Sequence, residues 1–357
     1  MQGDAGALHR ALESTDAHRL YGHAVRHKCA ALLFEAIAAQ RERGANARML
    51  LPMLKQYAAR FALDASHSLE QICGVVDALN SASVPFALLK SAGRIYAGDR
   101  LTQRTQSFDL DIMVPRRSAA ACVAALKQHG YAYEDACVAR GYQTYHHHLA
   151  PLIHPEFRKS LEVHVLLARP QTYSLPSDWE TLACDFERIG GPAGAALRFN
   201  ALGRAWHMAL HGASLYRLGD VAQIALETMR EDATIVQTLF QRSTREAVSR
   251  VPLQAVLLLA ARLAGVPVSC DTRTQRYIDW AIQREDLPRF FRERARLIDA
   301  WHADGALLGP ATRLALPKAH RYDGATVPLP QRARAVAGLA IGAAGVALGR
   351  PLLNSRR

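Results

Sequence analysis

The spacing of apolar residues predicts helices at the beginning of the chain and again over its second half. Apolar positions recur at helical intervals through residues 24–39 and 53–79, and Pro52 is expected in the first turn of the second helix. Four later stretches show the same spacing, at residues 201–215, 220–231, 235–242 and 253–264. Helical layers are therefore predicted on both sides of a central segment with a different pattern.

The middle of the chain carries the patterns of strands. Residues 85–90 form a short apolar run typical of a buried strand, and a helix is expected to open at Ser91-Ala92-Gly93 and run to Tyr96. The later patterns predict strands at 108–114, 146–152 and 160–167, and a helix at 116–130. The order strand, helix, strand, helix and hairpin indicates a compact α/β unit.

These patterns divide the chain into four parts. We expect a helical segment at 1–82, an α/β core at 83–185, a helical domain at 186–330 and an apolar, basic tail at 331–357. Within the tail, residues 335–349 are glycine-rich and too few to span a bilayer. A packed helix or a frayed tail is the favoured interpretation, and peripheral contact with an anionic membrane is the alternative.

The composition adds a strong positive charge. A net charge of +12 at pH 7 favours anionic partners such as nucleotides or RNA, although a chain rich in Ala, Arg, Gly and Leu acquires arginines without such a partner. The six cysteines form no C-x-x-C pair, which disfavours a zinc site and indicates reduced thiols. With no signal peptide or ordinary transmembrane segment evident, we expect a cytoplasmic protein.

Two carboxylates on one predicted strand are the first chemical signal. Side chains alternate between the faces of a strand, so Leu110 and Ile112 are expected to face a core while Asp109 and Asp111 share the opposite face. Like charges placed side by side need a counter-charge, and Mg²⁺ is a natural ligand of carboxylate oxygens. The alternative is a strand with a solvated acidic face.

A second predicted strand carries another carboxylate. In residues 161–165 the apolar positions alternate with Glu162 and His164, which share one face. A third carboxylate on a neighbouring strand would complete a site for two metal ions about 3.5–4 Å apart. The alternative is a half-exposed edge strand.

The chain resembles a known family at these positions. The resemblance is carried by Leu88-Leu89-Lys90, by 109–114, by Tyr145-His146-His147-His148 and by Leu161-Glu162-Val163-His164. The chain is similar to the uncharacterised bacterial nucleotidyltransferase family of the NTP-transferase 5 type, in the DNA polymerase beta superfamily. The implied fold is α+β, a polymerase-beta-like nucleotidyltransferase α/β core flanked by N- and C-terminal helical segments.

The resemblance implies transfer of a nucleoside monophosphate from a nucleoside triphosphate, with ATP as the expected donor. It implies that Asp109, Asp111 and Glu162 are the catalytic residues and hold two Mg²⁺ ions, for which Mn²⁺ is an alternative. Glu162 would act as a metal ligand or as the base for the acceptor hydroxyl. The acceptor is expected to be a small molecule, a peptide or a protein.

The remaining predicted contacts surround the triphosphate. The cofactor-binding residues are expected to be Lys90, Ser91, Gly93, Arg94, Arg104, His148 and His164. Ser91 is expected to cap the following helix, whose free N–H groups would bind phosphate. Solvated surface positions are the alternative for the two arginines. For the histidines, lining the acceptor pocket or binding phosphate is favoured over a zinc site, and a purely structural role is equally open.

Two features keep other functions open. The family has a glycine directly after the lysine, whereas Ser91-Ala92-Gly93 follow Lys90 here. A degenerate protein that binds a nucleotide without turnover is therefore one alternative. The positive charge of the chain gives another, a toxin-like transferase acting on tRNA. His207 and His211 share a helix face and are expected to be ordinary helix histidines, with a place beside the acceptor cleft as the alternative.

Overall fold

The architecture is described from a computed structural model of the chain. It describes residues 12–40, 44–99, 109–133, 147–168, 173, 175–215, 218–246, 250–270 and 272, and every structural statement below concerns these residues. The α-helices in this part are α1 (Ala17–Arg26), α2 (Ala30–Ala38), α3 (Ala45–Ser81), α4 (Lys90–Tyr96), α5 (Ala119–Gln128), α6 (Trp179–Leu182), α7 (Ala201–Leu215), α8 (Leu218–Arg230), α9 (Ile235–Ser243) and α10 (Arg250–Ala264). The strands are β1 (Ala87–Leu88), β2 (Asp109–Met113), β3 (Ala132–Tyr133), β4 (Leu152–Ile153), β5 (Ser160–His164), β6 (Phe186–Gly191) and β7 (Gly194–Phe199).

The first helices surround one long helix, α3. Its first half packs on α1 and α2 through a cluster that includes Leu50 and Leu54. Its second half packs on the sheet through residues such as Ile72 and Leu79. The prediction that Pro52 opens this helix is wrong, because α3 begins at Ala45 and contains the proline within its length. Because proline has no N–H, one hydrogen bond is missing inside the helix. The packing of the flanking turns must offset that loss.

Strands from the middle of the chain form one mixed sheet. The order is β3-β4-β5-β2-β1-β7-β6, with β2 parallel to β5 and β1 parallel to β7. The predicted strand at 146–152 is wrong for most of its length, because this segment contributes only a bridge from His148 to His164 before β4 begins at Leu152. The predicted α+β fold class is confirmed.

The sheet continues past the boundary that the sequence suggested at residue 185. Strands β6 and β7 follow that boundary, and β7 pairs with β1 while β6 forms the sheet edge. Residues 186–199 therefore belong to the sheet, although the sequence pattern assigned them to the helical domain. The division of the remaining chain, including the tail at 331–357, stays a prediction, and the tail lies outside the described residues.

Helices cover both faces of the sheet. On one face Leu88, Leu110 and Ile112 pack against α3 and α5. On the other face Leu89 and Met113 pack against α7 to α10. The face that carries Asp109 and Asp111 in the sequence pattern is thus covered by the C-terminal helices rather than left open to solvent.

Within the described part of the chain, none of the helices has the length and apolar character needed to cross a membrane. Cysteines 29, 73, 122, 184 and 270 are all free thiols there. Cys122 is buried, as predicted for a core thiol, whereas Cys184 is exposed.

Helix α4 approaches the sheet closely at Gly93. A Cβ atom added there would lie 2.9 Å from the carbonyl oxygen of Leu88 and 3.0 Å from the Cβ of Arg198. The first of these contacts is with backbone, which cannot rotate away. Gly93 therefore has a packing role beneath the helix, which is a different reason for a glycine than close approach to a phosphate.

Replacing Gly93 by alanine is expected to lower the free energy of unfolding by about 1–3 kcal/mol, since the added methyl group overpacks the contact with β1. Gly74, inside α3, offers a matched control because a Cβ there meets no atom within 4 Å. Gly74→Ala is expected to raise stability by about 0.5–1 kcal/mol through helix propensity alone. Urea denaturation of both variants measures the difference, and equal effects would contradict the close contact.

Candidate active site

Two carboxylates meet on adjacent parallel strands. The register of β2 and β5 pairs Asp111 with Glu162, so their side chains leave the same face of the sheet. Asp111 is fully buried, and 19% of the Glu162 side chain is exposed. Glu162 is therefore the carboxylate of this pair that solvent or a substrate can reach.

Asp109 lies two residues before Asp111 on the same strand and is half-buried. It pairs with Ser160 in the register. Among the described residues, the group whose ligand atoms all lie within 4.8 Å of one another consists of Asp111, Glu162 and His164. The structure thus brings two of the three predicted carboxylates together with an imidazole, and Asp109 is not part of that group.

Lys90 provides the nearest ammonium group. Its Nζ lies 2.8 Å from Oδ1 of Asp111, and it stands at the start of α4 directly after β1. Burial opposes its charge, but Asp111, Asp109 and Glu162 outweigh burial and hold the pKa of Lys90 above its ordinary value. The φ angle of Lys90 is +44°, in the left-handed region that favours glycine. The strained backbone conformation of this strand-to-helix turn is therefore at the lysine itself.

His164 lies between the two carboxylates. Its Nε2 is 2.8 Å from Oδ1 of Asp111 and 3.7 Å from Oε2 of Glu162. Burial disfavours the imidazolium, but the hydrogen bond to Asp111 and the nearby carboxylate of Glu162 outweigh burial and raise the pKa of His164. For Asp111, burial is likewise outweighed by Lys90 and His164, which hold the pKa of this carboxyl well below its usual range. Asp111 is therefore ionised, with a cation on one side and an imidazole on the other.

His148 approaches Glu162 from the segment before β4. Its Nδ1 lies 2.7 Å from the carbonyl oxygen of Leu149, so Nδ1 carries the hydrogen that it donates. Its Nε2 lies 3.5 Å from Oε2 of Glu162. Burial lowers the pKa of His148 to about 4, so this imidazole is neutral near pH 7.

Two further imidazoles lie near His164. The ring centroid of His147 lies 5.0 Å from that of His164, and the centroid of His207 on α7 lies 6.4 Å from it. Burial, followed by the charges of Lys90 and His164, holds the pKa of His207 well below its ordinary value. The sequence predicted an ordinary helix histidine at 207, and no local motif signalled that α7 would place it over the sheet. On the next turn, Nδ1 of His211 lies 2.7 Å from Oδ2 of Asp220.

The residues predicted to bind the triphosphate do not all lie beside the carboxylates. Ser91 is buried and does not cap α4, because the helix begins at Lys90 and has no side-chain cap. Arg94 is neither beside the carboxylates nor on the surface, since its guanidinium is buried in ion pairs with Glu227 and Asp99. Arg104 lies outside the described residues.

One comparison with known proteins identifies a family. A family model described as an uncharacterised nucleotidyltransferase matches residues 13–265. That range contains α1 to α10 and all the strands described above. Searches of curated proteins and of solved structures found no match to the chain.

Proposed function

Because the chain belongs to the uncharacterised nucleotidyltransferase family, we propose that it moves a nucleoside monophosphate from a nucleoside triphosphate, with ATP as the candidate donor, to an acceptor hydroxyl. The family supports a general nucleotidyl-transfer function. The acceptor is a small molecule, a peptide or a protein in this proposal. The observation that supports it most directly is the pairing of Asp111 with Glu162 across β2 and β5, with the Lys90 ammonium 2.8 Å from Asp111.

The donor set suits a divalent cation. Asp111, Glu162 and His164 offer ligand atoms within 4.8 Å of one another, and Oδ2 of the buried Asp111 has no hydrogen-bond partner among the described residues. An unpartnered buried carboxylate oxygen is costly, and a metal ion would satisfy it. When bound, such an ion neutralises phosphate charge and polarises the phosphoryl group under attack. These residues fit one ion, and the predicted second ion with Asp109 as a ligand stays a prediction.

Lys90 and Glu162 have separate roles in the proposal. The Lys90 ammonium holds Asp111 in place and presents positive charge where the triphosphate would bind. For Glu162, burial is outweighed chiefly by the neighbouring imidazole of His164, so its pKa is lowered and it is a carboxylate at neutral pH. As the more exposed carboxylate of the pair, it would accept the proton of the attacking hydroxyl.

The test is an assay with α-phosphate-labelled nucleoside triphosphates, a pool of hydroxyl acceptors and added Mg²⁺ or Mn²⁺. We expect labelled acceptor and released pyrophosphate, both stopped by a chelator. Glu162→Gln should lower the rate by about 10²-fold or more, since it removes the proton acceptor. The exposed Glu156 provides the matched control, and Glu156→Gln should leave the rate unchanged. Equal rates for the two variants would reject the proposed role of Glu162.

Binding without turnover is the second candidate function. It is favoured by the Lys90–Asp111 ion pair, which already neutralises the most buried carboxylate, and by the strained lysine in the turn where the family has glycine next. The distinguishing result is tight triphosphate binding with no pyrophosphate release for any acceptor. An RNA acceptor is supported only by the net charge of +12, and steep salt dependence of RNA binding would test it.

A further inference from the structure

We propose that the ammonium of Lys90 exchanges one anionic partner for another when the ligands bind. It pairs with Asp111 in this structure, and it moves to the phosphates of a nucleoside triphosphate when Asp111 binds a divalent cation. This inference rests on the proposed function and deepens it, because it gives Lys90 a regulatory role in the same site.

The first observation is that a basic side chain already balances the charge of Asp111. Nζ of Lys90 lies 2.8 Å from Oδ1 of Asp111, whose side chain is fully buried. Solvent cannot stabilise a carboxylate in this position, so a neighbouring cation has to do so. Lys90 therefore brings to Asp111 the kind of charge that a bound metal ion would also bring.

The second observation is that the two partners differ in their freedom to move. Asp111 is buried in the sheet, and its carbonyl accepts a hydrogen bond of 2.9 Å from the N–H of Leu89, which holds the backbone next to Lys90. The side chain of Lys90 is 18% exposed and has a flexible four-carbon stem. By contrast, both members of the Arg94–Glu227 pair are 3% exposed. The exchange therefore requires movement of the Lys90 side chain alone.

The third observation is that the ion pair leaves an acceptor on Asp111. Its Oδ1 is in contact with Lys90 and His164, whereas its Oδ2 has no hydrogen-bond partner among the described residues. Lys90 thus balances the charge of the carboxylate without using all of its lone pairs. Asp111 can consequently bind a metal ion, for which Lys90 is a competitor.

Repulsion between like charges decides the outcome of this competition. An ammonium and a divalent cation on one buried carboxylate repel each other strongly, because the surroundings have a low dielectric constant. The displaced Lys90 needs another anion, and lysine is a common ligand of phosphate. The two ligands therefore assist each other, since the cation releases Lys90 and the triphosphate holds it.

Crystal structures of the wild-type protein are the direct test, one with Mn²⁺ alone and one with Mn²⁺ and a non-hydrolysable triphosphate. In both, we expect Nζ of Lys90 to lie more than about 4 Å from Asp111, beyond the distance of an ion pair. In the second, we expect it within hydrogen-bond distance of a phosphate oxygen. Lys159, whose Nζ lies 2.7 Å from Asp64, is the internal control and should keep its partner in both structures.

Titrations in solution test the competition. Lys90→Met should bind Mn²⁺ alone about tenfold or more tightly than the wild type, and triphosphate in saturating Mn²⁺ about tenfold or more weakly. A residue with a merely structural role would weaken the binding of both ligands when replaced. Lys159→Met, which removes a lysine from a different ion pair, should change neither affinity.

Lys90 still paired with Asp111 in the complex with both ligands would overturn the inference. Mn²⁺ binding to Lys90→Met that is no tighter than to the wild type would also overturn it. The crystal structures need no variant, so a misfolded Lys90→Met does not weaken the test. Exchange in a protein that transfers no nucleotide would support the inference and reject the proposed function. Transfer by a protein in which Lys90 stays on Asp111 would give the reverse result.

Discussion

Replacing Asp111 by asparagine is expected to reduce nucleotidyl transfer by at least about 10³-fold and to lower the free energy of unfolding by about 2–3 kcal/mol. Transfer falls because a neutral amide attracts a cation weakly. Stability falls because the Lys90 ammonium, 2.8 Å from Asp111, loses its ion-pair partner. The loss is below that of a fully buried pair, since 18% of the Lys90 side chain is exposed.

A double variant separates the two effects. Lys90→Met added to Asp111→Asn removes the unpaired ammonium, so most of the lost stability should return while transfer stays absent. Urea denaturation and the transfer assay are measured on the same preparations. Asp77→Asn, at an exposed position on α3, is the control and should change neither quantity. If Asp111→Asn alone were as stable as the wild type, the Lys90 ammonium would not need Asp111 as its ion-pair partner.

Glu227→Gln is expected to lower the free energy of unfolding by about 3–5 kcal/mol, the largest stability effect that we predict. Glu227 on α8 is 3% exposed and forms an ion pair with Arg94, whose side chain is also 3% exposed. It also accepts hydrogen bonds of 2.9 Å from Nε and Nη2 of Arg204. The substitution leaves two guanidinium groups facing a neutral amide, in surroundings where water cannot replace the lost charge.

An exposed ion pair in the same protein provides the comparison. Arg117 and Glu180 lie 2.6 Å apart, but their side chains are 73% and 58% exposed. Glu180→Gln should therefore cost about 0.5 kcal/mol or less. Removing both buried charges with Arg94→Leu and Glu227→Leu should recover part of the loss. Similar losses for Glu227→Gln and Glu180→Gln would contradict the role assigned to the buried pair.

The alternation of side chains was sufficient to predict that Asp111 and Glu162 lie on one face of the sheet. Asp111 and Glu162 each lie between apolar residues on short strands, and the period of two placed both on the face opposite Leu110 and Leu161. The same pattern predicted β2, β5 and the flanking helices to within a few residues. The local pattern therefore determined which face of the sheet these two side chains occupy.

Long-range packing determined what local patterns missed. Arg94 resembled a phosphate ligand in sequence because it follows Lys90, but its partner Glu227 lies on a helix far along the chain. The ring of His207 lies near that of His164 only because α7 packs across the sheet. The strands β6 and β7 contain glycines at their shared turn and show little apolar alternation, so their pattern did not indicate strands.

The place of β7 in the sheet has a consequence for synthesis of the protein. β1 lies between β2 and β7, and Ala87 pairs with Leu197. As the polypeptide leaves the ribosome, β1 remains an open edge until the β7 segment has emerged. Unpaired N–H and C=O groups on such an edge favour association with other chains. An expression fragment that ends before residue 199 would carry this exposed edge permanently, so the shortest useful fragment must extend through β7 and the helices that cover it.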